Sequence, residues 1–140
     1  MKYILVKWLL LLTLNQVGFG QQRGLLQIYS VPERICVEGQ VTEDLIRDTS
    51  NAFVTYLEVT EDALIADFLA ASSMVNCYPA TGTFDHKTPR TILDYRLSSN
   101  LNPKWEISGT ILLYTGGLLK FQEAFLRNYE LYNLIHLWCE

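Results

Sequence analysis

From Met74 onwards the chain is a succession of short runs rich in β-branched and aromatic residues: Met74 to Ala80, Thr91 to Leu97, Trp105 to Tyr114, Leu119 to Leu126 and Tyr129 to Cys139. Turn-forming residues separate several of them, at Thr81 to Gly82, Ser98 to Pro103 and Gly116 to Gly117. Runs of this length, joined by short turns, pair most readily with their neighbours in sequence. The expected fold is therefore mainly β, a meandering antiparallel sheet that closes into a barrel or stacks as a sandwich, with one or two short helices. The last run is ambiguous, because Phe125, Tyr129, Tyr132 and Ile135 also fit one face of a helix.

The first twenty residues belong to a different kind of segment. Lys2 and Lys7 give a positive start, Trp8 to Leu14 an apolar core, and Gly18-Phe19-Gly20 small residues where a signal peptidase cuts. Residues 1–20 read as a secretory signal peptide and 21–140 as a single domain, secreted and extracellular. A membrane anchor fits less well, since the stretch is barely a span and contains Asn15 and Gln16. The net charge is −4, and losing Lys2 and Lys7 takes it to −6. That balance argues against nucleic acid or anionic lipid as partner, and no stable membrane insertion is expected after cleavage.

Ahead of the strand-rich half, residues 21–40 hold Pro32, two glycines and little periodicity, and read as a strap leading into the domain. Two helix starts follow. Thr42 and Thr60 can each accept hydrogen bonds from first-turn amides, while Glu43, Asp44, Glu61 and Asp62 meet the positive end of the helix dipole. The second start runs into Leu64, Ile65, Phe68 and Leu69, one apolar face at helical spacing. Between them, Ala52 to Val59 reads as a strand.

Within the strand-rich half, Cys77, Ala80, Phe84, Thr91-Ile92-Leu93-Asp94-Tyr95 and Trp105-Glu106-Ile107-Ser108-Gly109-Thr110 resemble the second to fourth strands of insect lipocalins. The stretch from Leu126 to Cys139 resembles that family's late paired strands around a Thr-Asp-Tyr motif, here Arg127-Asn128-Tyr129. The resemblance covers about Cys36 to Cys139. The family's Gly-x-Trp signature reads Asn51-Ala52-Phe53, so Phe53 would take the place of the tryptophan that closes the barrel. By resemblance Cys36 pairs with Cys139, and Cys77 is left unpaired because no fourth cysteine follows. The same comparison implies an up-and-down antiparallel β-barrel lacking its last strand and the helix that precedes it, hence exposed edges near Phe53 and Ile135 and, through them, self-association, binding of a partner strand, or marginal stability with weak binding of apolar ligands.

What the resemblance implies is a secreted carrier holding a small hydrophobic ligand in a barrel cavity. Alternation along the strands puts Thr91, Leu93, Tyr95 and Leu97 on one face, and Trp105, Ile107, Gly109 and Ile111 on one face of the next. Phe53, Tyr95, Trp105 and Ile107 are the expected ligand-binding residues. The rival reading is a secreted interaction protein acting through its surface loops without a ligand. Enzymatic chemistry is not expected. His86 beside Asp85 reads as a solvated loop, His136 between Ile135 and Leu137 as a partly buried histidine, and Cys77 has nothing near it in sequence to lower its pKa. No ligand set has zinc spacing, so neither metal nor cofactor is expected.

Overall fold

A computed structural model of the chain describes residues 22–32, 41–82, 84, 88–99 and 106–139. The expected signal peptide, Cys36, His86 and Trp105 lie outside the described residues. The protein is mainly β: among the described residues seven antiparallel strands form one open sheet, accompanied by three helices.

Strand β1 (Gln22–Ser30) lies inside the sheet between β2 (Thr55–Val59) and β4 (Thr91–Ser99), followed by β5 (Glu106–Leu113), β6 (Leu118–Phe121), β7 (Ala124–Arg127) and the two-residue β3 (Tyr78–Pro79). The expectation of a strap over residues 21–40 is thus corrected for its first part. The strand signal is there in Leu26 and Ile28, both wholly buried and two residues apart, but only two such alternations occur before Pro32.

The order β2-β1-β4-β5-β6-β7-β3 is not that of an up-and-down barrel. The sheet stays open because its inner face is covered by helices rather than by its own far edge. Helix α2 (Asp62–Ala71) buries Ile65, Phe68 and Leu69, and α3 (Tyr129–Cys139) buries Leu131 and Ile135, against Leu26, Ile28, Leu93, Tyr95, Leu97, Ile111, Leu119 and Phe121. The space a barrel would leave for a ligand is occupied by these side chains. Two layers around one core result.

Helix α1 (Glu43–Arg47) packs on the opposite face, where Val31, Val41, Ile46 and Ile92 form a second cluster. It begins as read from the sequence, with the Thr42 hydroxyl accepting from the Leu45 amide at 3.2 Å. Its last residue fastens it: Arg47 donates to both oxygens of Asp94, at 2.6 and 3.1 Å, while the Thr110 hydroxyl donates to Asp94 at 2.7 Å. The second helix starts one residue later than read. Glu61 stands at the cap without a side-chain bond, so Thr60 does not serve there.

Three of the expected strands are corrected. Met74–Asn76 is a single 3-10 turn capped by Ser73, leaving only Tyr78–Pro79 extended. Leu119 to Leu126 folds back on itself as the β6–β7 hairpin, with Gln122 at φ 55 in the turn. Tyr129 to Cys139 is helix, and Asn128 is the reason. Wholly buried, it accepts from the Leu131 amide at 2.9 Å as an N-cap and donates to the Ala71 carbonyl at 2.8 Å, tying the start of α3 to the end of α2. The expected turn at Gly116 and Gly117 is present, both residues having the positive φ that glycine tolerates.

Candidate functional site

The inner face of the sheet is organised in cross-strand rows, because side chains alternate with period two and neighbouring strands are in register. One row runs Val59, Leu26, Tyr95, Gly109, and the next runs Leu57, Ile28, Leu93, Ile111. Both lie in the core or pack against it. The terminal row runs Thr55, Ser30, Thr91, Leu113. Here the sheet changes character, since three of the four residues carry hydroxyls. The Ser30 and Thr91 hydroxyls lie 2.9 Å apart and bond to each other.

Across from this row runs one stripe of α3. Tyr132, Ile135, His136 and Cys139 are spaced by three, one and three residues, so they share a helix face. Between row and stripe is a cleft of about 750 Å³, bounded also by Val31, Pro32, Arg90 and Tyr114. Arg90 is held at its mouth by backbone bonds that extend the ladder one residue past β4: its amide donates to Leu113 O and its carbonyl accepts from Val31 N, both at 2.8 Å.

Each wall of the cleft carries both apolar and polar groups. Leu113, Ile135 and Val31 are buried hydrophobes, and Tyr114 packs its ring on Phe125 at 5.8 Å. Ser30, Thr55 and Thr91 share the sheet wall with Leu113, and His136 shares the helix wall with Ile135. The imidazole is exposed and stacks on Tyr132, with ring centroids 5.7 Å apart and planes 16° from parallel. The sequence expectation of a partly buried histidine is corrected accordingly. Burial pushes the Cys139 thiol above its ordinary pKa, an effect only partly opposed by its hydrogen bond with Ser30. Cys139 is thus a neutral thiol at physiological pH, not a thiolate nucleophile. Among the described residues no three His, Cys, Asp or Glu side chains converge to hold a metal ion.

The residues singled out from the sequence are elsewhere. Tyr95 is buried in the core, two rows from the cleft, with Phe68 of α2 and Phe121 of β6 at ring distances of 6.3 and 6.4 Å. Ile107 packs against the same core. Phe53 is 52% exposed, in a turn where its amide donates to Asn51 Oδ1 at 3.0 Å, so it fills no barrel end. None of the three lines the cleft. Thr91, which lines the cleft, shares the inner face of β4 with Leu93, Tyr95 and Leu97, the face that alternation groups together. The open end of that face is at Thr91, not at Tyr95. The stripe on α3 was legible only on the helical alternative for the last segment.

Cys77 is a free thiol away from the cleft, beside the Asn128 amide at 3.5 Å, and burial pushes its pKa up to about 11. Cys139 is also a free thiol in this structure. No helix among the described residues is long and apolar enough to cross a membrane. Comparison with known protein families, with curated proteins and with solved structures returns no match.

Proposed function

We propose that the chain is an exported binding protein that carries a small amphipathic molecule in the cleft between the terminal row of the sheet and α3. One observation carries the reading: a row of hydroxyls from Thr55, Ser30 and Thr91 faces a helix stripe of Tyr132, Ile135, His136 and Cys139 across a volume of about 750 Å³. That volume suits a drug-sized ligand, and ligand sites combine apolar walls with a few convergent polar groups. The apolar body of the ligand would lie on Leu113, Ile135 and Tyr114. Its polar group, a carboxylate by preference, would lie toward Arg90, His136 and the paired hydroxyls.

Binding rather than catalysis is favoured by the state of the groups present. The cleft's thiol is neutral, and its imidazole is stacked on the ring of Tyr132. Export rests on the signal-like segment at residues 1–20 and is checked by N-terminal sequencing of the product released by secreting cells, which should begin at Gln21.

Thermal melting of the purified chain with an aromatic carboxylic acid, a medium-chain fatty acid and the matching neutral alcohol tests the site. A ligand at a hundred times its Kd stabilises the folded state by about 2.7 kcal/mol, a shift of several degrees. The acids should raise the melting temperature more than the alcohol, and Thr91→Leu together with His136→Ala should abolish the rise while the unliganded protein still melts cooperatively. No stabilisation by any of the three, or stabilisation that the double variant retains, would overturn the assignment.

A further inference from the structure

The two edges of the sheet are protected very differently. On one side the last strand is β3, two residues long and ending in Pro79, which has no amide proton to offer a further strand. Short edge strands and proline are the ordinary means of stopping sheets from adding to one another. On the other side the last strand is β2, Thr55-Tyr56-Leu57-Glu58-Val59. It has no proline, no lysine and no glycine, and pairs with β1 without interruption over all five residues. Among the described residues no strand pairs with its outer edge.

The side chains of β2 are arranged so that the strand complements itself. Tyr56 and Glu58 point to the outer face of the sheet, where the Tyr56 hydroxyl donates to the Glu58 carboxylate at 2.6 Å and accepts from the Gln27 amide at 3.0 Å. Leu57 and Val59 point to the core. In an antiparallel pairing with a twofold axis at Leu57, Tyr56 of each copy stands opposite Glu58 of the other, and Thr55 opposite Val59. The Tyr56 proton, given to Glu58 of its own chain, is then also beside Glu58 of the other copy and can exchange to it, so each carboxylate keeps one phenol donor, and no like charges stand directly opposite. Half-exposed Phe53, just before the strand, would be brought to the flank of the joined sheets.

We propose that β2 is a dimerisation edge, and that its partner is β2 of a second copy of this chain, paired antiparallel about Leu57 to make one continuous sheet. The pairing runs through Thr55, so it adjoins the cleft without occupying it. It does not depend on the cleft's ligand.

Light scattering of the purified chain across a concentration series should give twice the monomer mass at the upper end. Glu58→Lys removes the carboxylate acceptor and places an edge lysine at an exposed position, so it should weaken dimerisation about tenfold or more without disturbing the core. Leu57→Cys should cross-link the dimer through its own symmetry mate under mild oxidation, whereas Leu137→Cys, at a position 71% exposed on α3, should not. A monomer at the highest soluble concentration overturns the proposal, including the case in which the edge serves a strand of another protein. So does a dimer that Glu58→Lys leaves intact, or one that a folded Leu57→Cys variant does not cross-link. Should Leu57→Cys fail to fold, Glu58→Lys decides alone.

Discussion

Tyr95 and Gly109 face each other across β4 and β5, and their pairing shows how a residue suited to a binding site can be consumed by the core. A Cβ on Gly109 would meet the Tyr95 hydroxyl oxygen at 2.5 Å and its ring at 2.8 Å. The ring lies over the glycine because nothing else would let it down onto the sheet. Its hydroxyl is buried and makes no hydrogen bond among the described residues, and burial pushes its pKa up to about 12. Removing that hydroxyl by Tyr95→Phe removes an unsatisfied polar atom, so urea unfolding should show no loss and up to about 1 kcal/mol of gain. Gly109→Ala should cost about 1 to 3 kcal/mol by overpacking, and less in the Tyr95→Ala background. The pH dependence has a definite sign. A phenol whose folded pKa is raised binds its proton more tightly in the folded state, so its contribution to stability is complete below about pH 10 and falls as pH rises toward 12. In Tyr95→Phe that part of the alkaline loss should vanish.

At the scale of elements, Asn128 determines whether the end of the chain is strand or helix. Its carbonyl oxygen caps α3, its amide holds the end of α2, and it has no exposed surface. Asn128→Ala removes a cap and takes from the Ala71 carbonyl the shorter of its two side-chain donors, Asn76 remaining at 3.3 Å, so a loss of about 1 to 2 kcal/mol in urea unfolding is expected, with helix content falling by circular dichroism. Asn128→Asp should keep the cap acceptor but set a buried carboxylate oxygen against the Ala71 carbonyl, so it should destabilise at least as much as Asn128→Ala and recover in part as the carboxylate is protonated at low pH. The same residue explains what the sequence conceals. Read beside Tyr129, Asn128 looks like a worn strand motif; read ahead of Leu131 and Ile135, with Glu130 in the first turn, it is a helix start. Period and cap compete with a β-rich composition there, and the buried contact to Ala71, fifty-seven positions away, is invisible to any local reading. Strands β4 and β5 were legible because their apolar runs have clear alternation and turn residues around them. Strand β1 was not, since a glycine and two glutamines interrupt its pattern although Leu26 and Ile28 are wholly buried. The candidate site was half legible for the same reason: its face on β4 follows from alternation, but the open end depends on where α2 and α3 lie.

For the molecule as a whole, the open sheet puts the two faces to different uses and leaves the cysteines in distinct surroundings. Cys77 is fixed by the core and by Asn128, with its thiol raised to about 11, so it is a poor partner for thiol exchange. Cys139 is on the wall of the cleft, which Val31 and Pro32 also bound. A Cys36–Cys139 bond is the pairing that the family resemblance of the sequence implies. In an oxidising compartment it would close a loop of about a hundred residues and, in the chain-entropy treatment, stabilise by roughly 4 to 5 kcal/mol. The bond would tie the segment after β1 to the last turn of α3, across the same cleft that we assign to the ligand. Peptide mapping of the unreduced secreted protein should find Cys36 joined to Cys139 and Cys77 alkylatable only after unfolding. Reduction should lower the melting temperature of the wild type and leave that of Cys36→Ser unchanged. A monomer in which Cys77 is joined to either of the other two would refute the pairing, because it would require Cys77 to leave its contact with Asn128 and the cap of α3 to be remade.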